Sequence, residues 1–406
     1  MSSGSLDSPC PLAAFASYRL EHCTSLGMPR ASPGKELAAN AGATLDILSR
    51  WPDYRPTPLL TLAPLAARLG LRCIYYKDES LRFGLGSFKA MGAAYATGRE
   101  IARVLGQPHL VDCEEIRAAV KESQRQIVVA CATDGNHGRA VAWAASRLGV
   151  RCEVFVHEAV SAARVRAIAE FGATVRVTAG NYDDAVRAVA AEAASRGWRI
   201  VSDTAYAGYE QVPADVMRGY AALAEETQRQ LPAEPKPTHV FAQAGVGGFA
   251  AAFFAGICAH VSDPPPVTVC VEPLAAACLL ASARAGERTI IDGALETTMA
   301  SLACGEPSTL AWSHLSRGRR EFLAIADEAS AATVRLLAEP ALCGHQLIAG
   351  DSGAAGLAGL LCALARQDVR DALRLDADSV VLTVGTEGAM NAESYVASIR
   401  SQRHQT

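Results

Sequence analysis

The chain has 406 residues, 50% of them hydrophobic and 20% charged, with a formal net charge of −4. Such a length and apolar fraction predict two or three domains, or one large α/β unit with a lobe, and the mild acidity argues against nucleic acid or an anionic membrane surface as the main partner. No apolar run reaches the roughly 20 residues of a membrane span, and the start lacks the basic-then-apolar pattern of a secretory signal, so a cytoplasmic protein is expected.

Residues 1–44, rich in Ser, Pro and Ala, predict a segment that wraps the surface. From Leu71 a rhythm sets in. The apolar run 73–76 reads as a strand, followed by a helix from about Ser87 to Leu105 and a charged helix around 113–124. Residues 126–131 form a continuous apolar run, the pattern of a strand buried on both faces. Helices at 138–148, 161–171 and 183–196 then alternate with strands at 151–156, 174–178 and 199–202. The same beat resumes with a strand at 238–243, a helix at 247–260 and strands at 267–272 and 379–384. Helix, glycine, apolar strand is the signature of βαβ units around a parallel sheet. The expected organisation is a large domain from 45–92 and 206–406, with a small α/β domain at 93–205. The twelve cysteines are scattered and form no CxxC pair, so buried thiols are expected and no metal site. Cys278 and Cys304 flank one loop, and the sequence leaves their pairing open.

Four turns carry candidate chemistry. In GlySerPheLys, 86–89, a lysine sits at a helix start behind a capping-type Ser87 and beside Phe88. Burial there is expected to lower the amine's pKa and make Lys89 a nucleophile for an aldehyde, although most helix lysines merely extend to solvent. ThrAspGlyAsnHisGly, 133–138, follows a strand and opens a helix, so it points into the crevice where ligands of parallel sheets bind. Its amides suit a carboxylate, Asn136 a planar ring substituent, and Asp134 acid or base work. GlnAlaGlyValGlyGlyPhe, 243–249, also links strand to helix, and its glycines let amides approach an oxyanion. It lacks the full dinucleotide spacing, Glu272 being an ambiguous ribose ligand, and it lacks a Walker lysine; a phosphate monoester suits it better. AspSerGlyAlaAlaGly (351–356) and ThrValGlyThrGluGly (383–388) read as further glycine-rich turns, the second offering the neutral hydroxyl of Thr386 to a pyridine nitrogen. Together these are the parts of a pyridoxal phosphate site.

At these residues the chain resembles the fold type II family of pyridoxal-phosphate enzymes. The matching pieces are ProThrProLeu (56–59), GlySerPheLys (86–89), GlyAsnHisGly (135–138) and GlyValGlyGly (245–248). Longer stretches at 77–85, 132–143, 203–210 and 298–307 are similar to the diaminopropionate ammonia-lyase branch of that family. The resemblance implies a two-lobed α/β fold of mostly parallel sheets with helices on both faces and the active site between the lobes. It implies that Lys89 carries pyridoxal 5'-phosphate as a Schiff base, beside Phe88. Gly245, Val246, Gly247 and Gly248 would bind the phosphate, Asn136 the phenolic oxygen and Thr386 the ring nitrogen. Ser87, Thr133, Asp134, Gly135, His137 and Asp203 would line the substrate, with Lys89, Asp134 and Asp203 catalytic. The implied reaction is α,β-elimination of 2,3-diaminopropionate to pyruvate and two ammonia, by a homodimer. Serine or threonine dehydration, or β-replacement, is the alternative within this chemistry. A non-catalytic anion- or nucleotide-binding protein is the alternative outside it.

Overall fold

A computed structural model describes residues 11–26, 35–133, 135–180, 182–260, 264–389 and 395. Among the described residues eleven strands run β1 (Leu20–Leu26), β2 (Leu59–Thr61), β3 (Cys73–Asp78), β4 (Val128–Ala132), β5 (Arg151–His157), β6 (Thr174–Thr178), β7 (Arg199–Ile200), β8 (His239–Gln243), β9 (Val267–Pro273), β10 (Arg319–Ile325) and β11 (Val380–Gly385). They form a seven-stranded sheet in the order β1-β10-β9-β8-β11-β3-β2 and a four-stranded sheet in the order β6-β5-β4-β7. Pairing is parallel except at the two outer edges of the large sheet, β1 with β10 and β2 with β3. Central strands β8 and β11 are buried at every residue, which explains their mostly apolar sequences, interrupted only by His239, Gln243 and Thr383.

The helices that position the site are α1 (Lys89–Val104), α2 (Cys113–Ser123), α3 (Asn136–Leu148), α4 (Ala162–Ala169), α5 (Tyr182–Arg196), α6 (Gln211–Gln230), α7 (Gly248–His260), α8 (Cys278–Ala285) and α9 (Asp351–Ala365). Helices α1 and α6 meet backbone to backbone. A Cβ on Gly219 would fall 2.4 Å from the Met91 carbonyl oxygen, and one on Gly92 would fall 2.5 Å from the Tyr220 ring. That contact seats the start of α1, and with it Lys89, between the sheets.

Strand order explains where the site forms. In the small sheet the chain steps from β4 outward to β5 and β6, then returns to place β7 on the other side of β4. In the large sheet it steps from β8 to β9 and β10, then returns with β11 on the other side of β8. Each reversal leaves a crevice beyond the strand ends, because the neighbouring connections depart in opposite directions. The turns after β4 and β7 hold Asn136 and Asp203; those after β8 and β11 hold the 244–247 loop and Thr386.

A buried ionic cluster anchors the chain just ahead of Lys89. Arg82 Nη2 donates to Glu79 Oε1 at 2.8 Å and to Glu226 Oε1 at 2.7 Å, and Lys77 Nζ donates to the same Glu226 oxygen at 2.5 Å. The Lys77, Arg82 and Glu79 side chains are fully buried and that of Glu226 nearly so. Two cations and two carboxylates balance, which is what makes such burial tolerable.

Two segments differ from the sequence expectation. Residues 20–26, without periodicity of their own, form edge strand β1; its Thr24 Oγ1 and His22 Nε2 bond the Glu321 carboxylate at 2.6 and 2.9 Å. Residues 351–356, expected as a turn, are the first turns of α9. Their small residues serve packing. A Cβ on Gly353 would fall 2.3 Å from the Glu387 carbonyl oxygen, and one on Gly356 would fall 2.8 Å from Gln243 Oε1.

Candidate active site

Lys89 is the first residue of α1, and its amide donates to Ser87 Oγ at 3.3 Å. The loop before it pairs with the end of β11: Phe88 N donates to the Thr386 carbonyl and Gly388 N to the Gly86 carbonyl, both at 3.0 Å. This pairing fixes Lys89 against Thr386 although 297 positions separate them in sequence (386 − 89). Phe88 packs on Phe249 and Tyr220 at ring-centroid distances of 4.4 and 4.9 Å, with the Lys89 ammonium 5.5 Å from its own ring centroid. Three aromatic rings therefore dry one side of the amine.

Lys89 Nζ donates to Asp203 Oδ2, the two side chains being 19% and 15% exposed. Burial opposes the charge on each, yet the pairing outweighs it: Lys89 is held above its ordinary pKa and Asp203 well below the usual carboxylate range. This corrects the expectation of a depressed amine. Desolvation alone favours the neutral form, but a carboxylate in contact reverses the sign.

Behind Asp203 stands His137. Its Nε2 meets the Val201 carbonyl at 2.8 Å, and its Nδ1 faces Asp203 Oδ2 at 3.8 Å. Burial lowers its pKa against the pull of Asp203, so the neutral ring donates from Nε2. Thr133 builds the turn itself, its Oγ1 accepting from Gly135 N and Gly138 N at 3.0 Å each. Asp134 lies outside the described residues.

Asn136, at the start of α3, reaches across to the end of β11: its Nδ2 donates to Glu387 Oε2 and, at 3.3 Å, to Ser301 Oγ. Ser301 Oγ in turn donates to Glu387 Oε2 at 2.9 Å. Burial pushes the Glu387 carboxyl up, with Ser301 and then Arg164 opposing.

On the large-sheet side, Gly247 has φ +92°, a conformation that favours glycine, and α7 begins at Gly248. A Cβ on Gly245 would fall 2.9 Å from Cys304 Sγ, and one on Gly247 would fall 2.9 Å from Leu315 Cδ1. Ser308 N donates to the Val246 carbonyl at 3.0 Å, which ties the loop to the start of the following helix segment at Thr309. Gln243 Nε2 donates to Thr386 Oγ1 at 2.5 Å and to the Gly353 and Val384 carbonyls at 3.0 Å. Thr386 thus accepts from Gln243 and keeps its own hydroxyl proton to donate. Neither Cys278 nor Cys304 is in a disulfide; the buried Cys278 thiol meets the Gly245 carbonyl at 3.8 Å.

Gln243, Ser301, Tyr220 and Glu387 did not enter the sequence-based site. Gln243 and Glu387 lie inside the turns 243–249 and 383–388, and Ser301 inside the stretch 298–307, so membership of those motifs was an available signal; Tyr220, mid-helix in α6, carried none. Glu272 is no ribose ligand: its two oxygens accept from Leu279 N and Leu280 N at 2.8 Å each, at the start of α8. Burial pushes its carboxyl up to about 8.

The donor set fits a planar aldehyde with a phosphate arm: an amine in a dried corner, a glycine cradle at a helix start, a free hydroxyl proton and an amide N–H. The loop also requires glycine, since a Cβ at Gly245 or Gly247 would fall 2.9 Å from Cys304 Sγ or Leu315 Cδ1. A family model described as "Pyridoxal-phosphate dependent enzyme" matches residues 50–387. The chain is 39% identical over 362 residues to diaminopropionate ammonia-lyase of Escherichia coli (strain K12), spanning 86% of this chain and 89% of that protein. The crystal structure of the Escherichia coli ammonia-lyase in complex with D-serine is similar with a TM-score of 0.87 and 34% identity, covering 96% of this chain and 99% of that one. Its complex with an aminoacrylate-PLP azomethine reaction intermediate gives a TM-score of 0.85 and 34% identity, over 95% and 99%. This chain belongs to the pyridoxal-phosphate dependent enzymes, with the two-lobed fold type II architecture.

Proposed function

We propose that the chain is a carbon–nitrogen lyase that converts 2,3-diaminopropionate to pyruvate and two ammonia. The observation that carries the reading is the Lys89–Asp203 pair set between the two strand-end crevices, opposite the glycine cradle. Pyridoxal phosphate supplies an aldehyde for amine attachment and a conjugated ring that accepts negative charge developing at the substrate α-carbon.

The chain's own residues supply the rest. Gly245, Val246, Gly247 and Gly248, with the N-terminus of α7, would bind the phosphate. Thr386, accepting from Gln243, would direct its hydroxyl hydrogen to the ring nitrogen as a hydrogen bond, without transferring the proton, and leave it uncharged. Asn136 would donate to the phenolic oxygen. With its nitrogen first taken up by the aldehyde and then given back as a neutral amine, Lys89 would take the α-proton at Nζ, and Asp203, its partner as an ammonium, would hold that nitrogen in place. Asp134 is proposed for the opposite face. Phe88, backed by Phe249 and Tyr220, covers one side of the amine.

Asp203 also argues for the substrate. Its depressed pKa keeps it anionic, and an anion favours a second ammonium over a hydroxyl by a contact of about 1.5–3 kcal/mol. An ammonium leaves as ammonia without a further proton, and the remaining enamine hydrolyses to pyruvate and a second ammonia. Product counting tests the reading. Diaminopropionate should give two ammonia per pyruvate; serine turned over as fast, with one ammonia per pyruvate, would favour the dehydratase alternative. Lys89→Ala should abolish the absorbance near about 410–420 nm expected of the bound cofactor; an unchanged band would remove Lys89 from its role.

We further propose a cytoplasmic homodimer with lobes at 45–92 plus 206–406 and at 93–205. Among the described residues no helix is long and apolar enough to cross a membrane. Sedimentation at micromolar protein tests the dimer.

A further inference from the structure

Asn136 is an amide, and the two ends of an amide are nearly alike in shape; what surrounds it decides which end faces a ligand. Here two groups decide. An ionised Glu387 only accepts, and its Oε2 takes an N–H from Asn136. Ser301 gives its hydroxyl proton to the same Oε2 at 2.9 Å, so the Ser301 oxygen presents a lone pair to Asn136 Nδ2 at 3.3 Å. Both neighbours therefore demand the NH2 end on their side.

Nδ2 carries two hydrogens, pointing about 120° apart, and acceptors that take one each would stand roughly 5 Å from one another. Glu387 Oε2 and Ser301 Oγ are 2.9 Å apart. They share a single hydrogen, and the second N–H points away from both. Glu387 itself is held from three sides. Its carbonyl accepts from Gly350 N at 3.2 Å, its backbone lies against Gly353, and residue 387 bridges to Ser87 in the loop that precedes Lys89. The cations that act on its carboxylate are Arg164, of α4, and Lys89, the latter paired with Asp203.

We propose that Glu387 is the positioning residue for Asn136: by engaging one amide hydrogen together with Ser301, it fixes the other as the donor that meets the phenolic oxygen of pyridoxal phosphate. The inference rests on the cofactor site described above and adds a residue to it. Glu387 touches Asn136 and acts through it. A glutamine at this position can present its own NH2 to Asn136 and allows the amide to turn, which would set a carbonyl oxygen against the phenolic oxygen.

A double-mutant cycle on the full-length chain tests this. Wild type, Glu387→Gln, Asn136→Ala and the double variant are freed of cofactor and titrated with pyridoxal 5'-phosphate, the dissociation constant being read from absorbance. Glu387→Gln should weaken binding tenfold or more in the wild-type background. In the Asn136→Ala background it should change binding less than twofold, because its route to the cofactor is gone. Equal fold-losses in both backgrounds would overturn the proposal, since a general structural role is additive, and so would wild-type affinity in Glu387→Gln. Should the glutamine variant fail to fold, Glu387→Ala run through the same cycle asks the same question. A wild-type chain that binds no cofactor sinks the functional reading as well, a result distinct from either.

Discussion

Replacing Glu226 with glutamine keeps the shape of the buried cluster ahead of Lys89 and removes one of its two negative charges. Lys77 and Arg82 then share a fully buried space with Glu79 alone, leaving one uncompensated positive charge. Glu226 accepts from Arg82 Nη1 at 2.9 Å, Arg82 Nη2 at 2.7 Å, Lys77 Nζ at 2.5 Å and Thr57 N at 3.0 Å, besides the Tyr54 hydroxyl. Breaking a buried pair of this kind costs about 3–5 kcal/mol. The exposed pair Arg187–Asp184, 69% and 38% exposed, is the control, since such pairs contribute about 0.2–1 kcal/mol. Urea unfolding at neutral pH, followed by tryptophan fluorescence, should place Glu226→Gln several kcal/mol below wild type and Asp184→Asn within 1 kcal/mol of it. The deficit should also depend on pH. Burial already lowers the Lys77 pKa from 10.5, and losing Glu226 lowers it further, so the folded state binds fewer protons than the unfolded one. Stability of the variant therefore rises with pH toward the unfolded lysine value, and part of the loss returns as pH climbs from neutral toward it. A Glu226→Gln chain within 1 kcal/mol of wild type would refute the claim that this cluster depends on balanced charge.

Three further outcomes are expected. Glu272 is protonated more readily in the folded chain, about 8 against 4.5, so its contribution is present at low pH and fades as pH rises through about 8. The stability of Glu272→Gln relative to wild type should accordingly increase between pH 6 and 9, and a difference independent of pH would show that Glu272 does not titrate there. Gly247→Ala forces φ +92° on a residue with a Cβ and sets that Cβ 2.9 Å from Leu315 Cδ1; a cost of about 1–3 kcal/mol and weaker cofactor binding are expected, measured by unfolding and by absorbance titration. Asp203→Asn removes the partner that holds Lys89 charged; turnover should fall about 10²–10⁴-fold while the cofactor absorbance persists, and wild-type turnover would exclude Asp203 from the reaction.

The periodicity of the chain carried most of the fold. Runs such as 127–131 and 380–382 are apolar at successive positions because both faces of a central parallel strand are covered, and that burial is a local property written residue by residue. The glycine turns were legible for a similar reason: an amide cradle needs glycine where the backbone turns to positive φ, as at Gly247. Strand β1 was not legible, since its alternation is weak and its place depends on pairing with β10, nearly 300 residues away. The start of α9 misled because small residues suit a turn and a close helix–sheet contact equally well, and only the nearness of Glu387 and Gln243 distinguishes them.

Sequence by itself thus determined the βαβ architecture, the lysine, and the glycine and asparagine turns, since each answers to backbone geometry within a few neighbours. Tertiary structure decided the electrostatics. Lys89 is charged because the turn after β7 brings Asp203 to it, and Asn136 faces as it does because the end of β11 brings Glu387. Charge and hydrogen-bond partners across two crevices follow from which strand ends meet, and the strand order β8-β11 and β4-β7 is set by long-range pairing that no local pattern encodes.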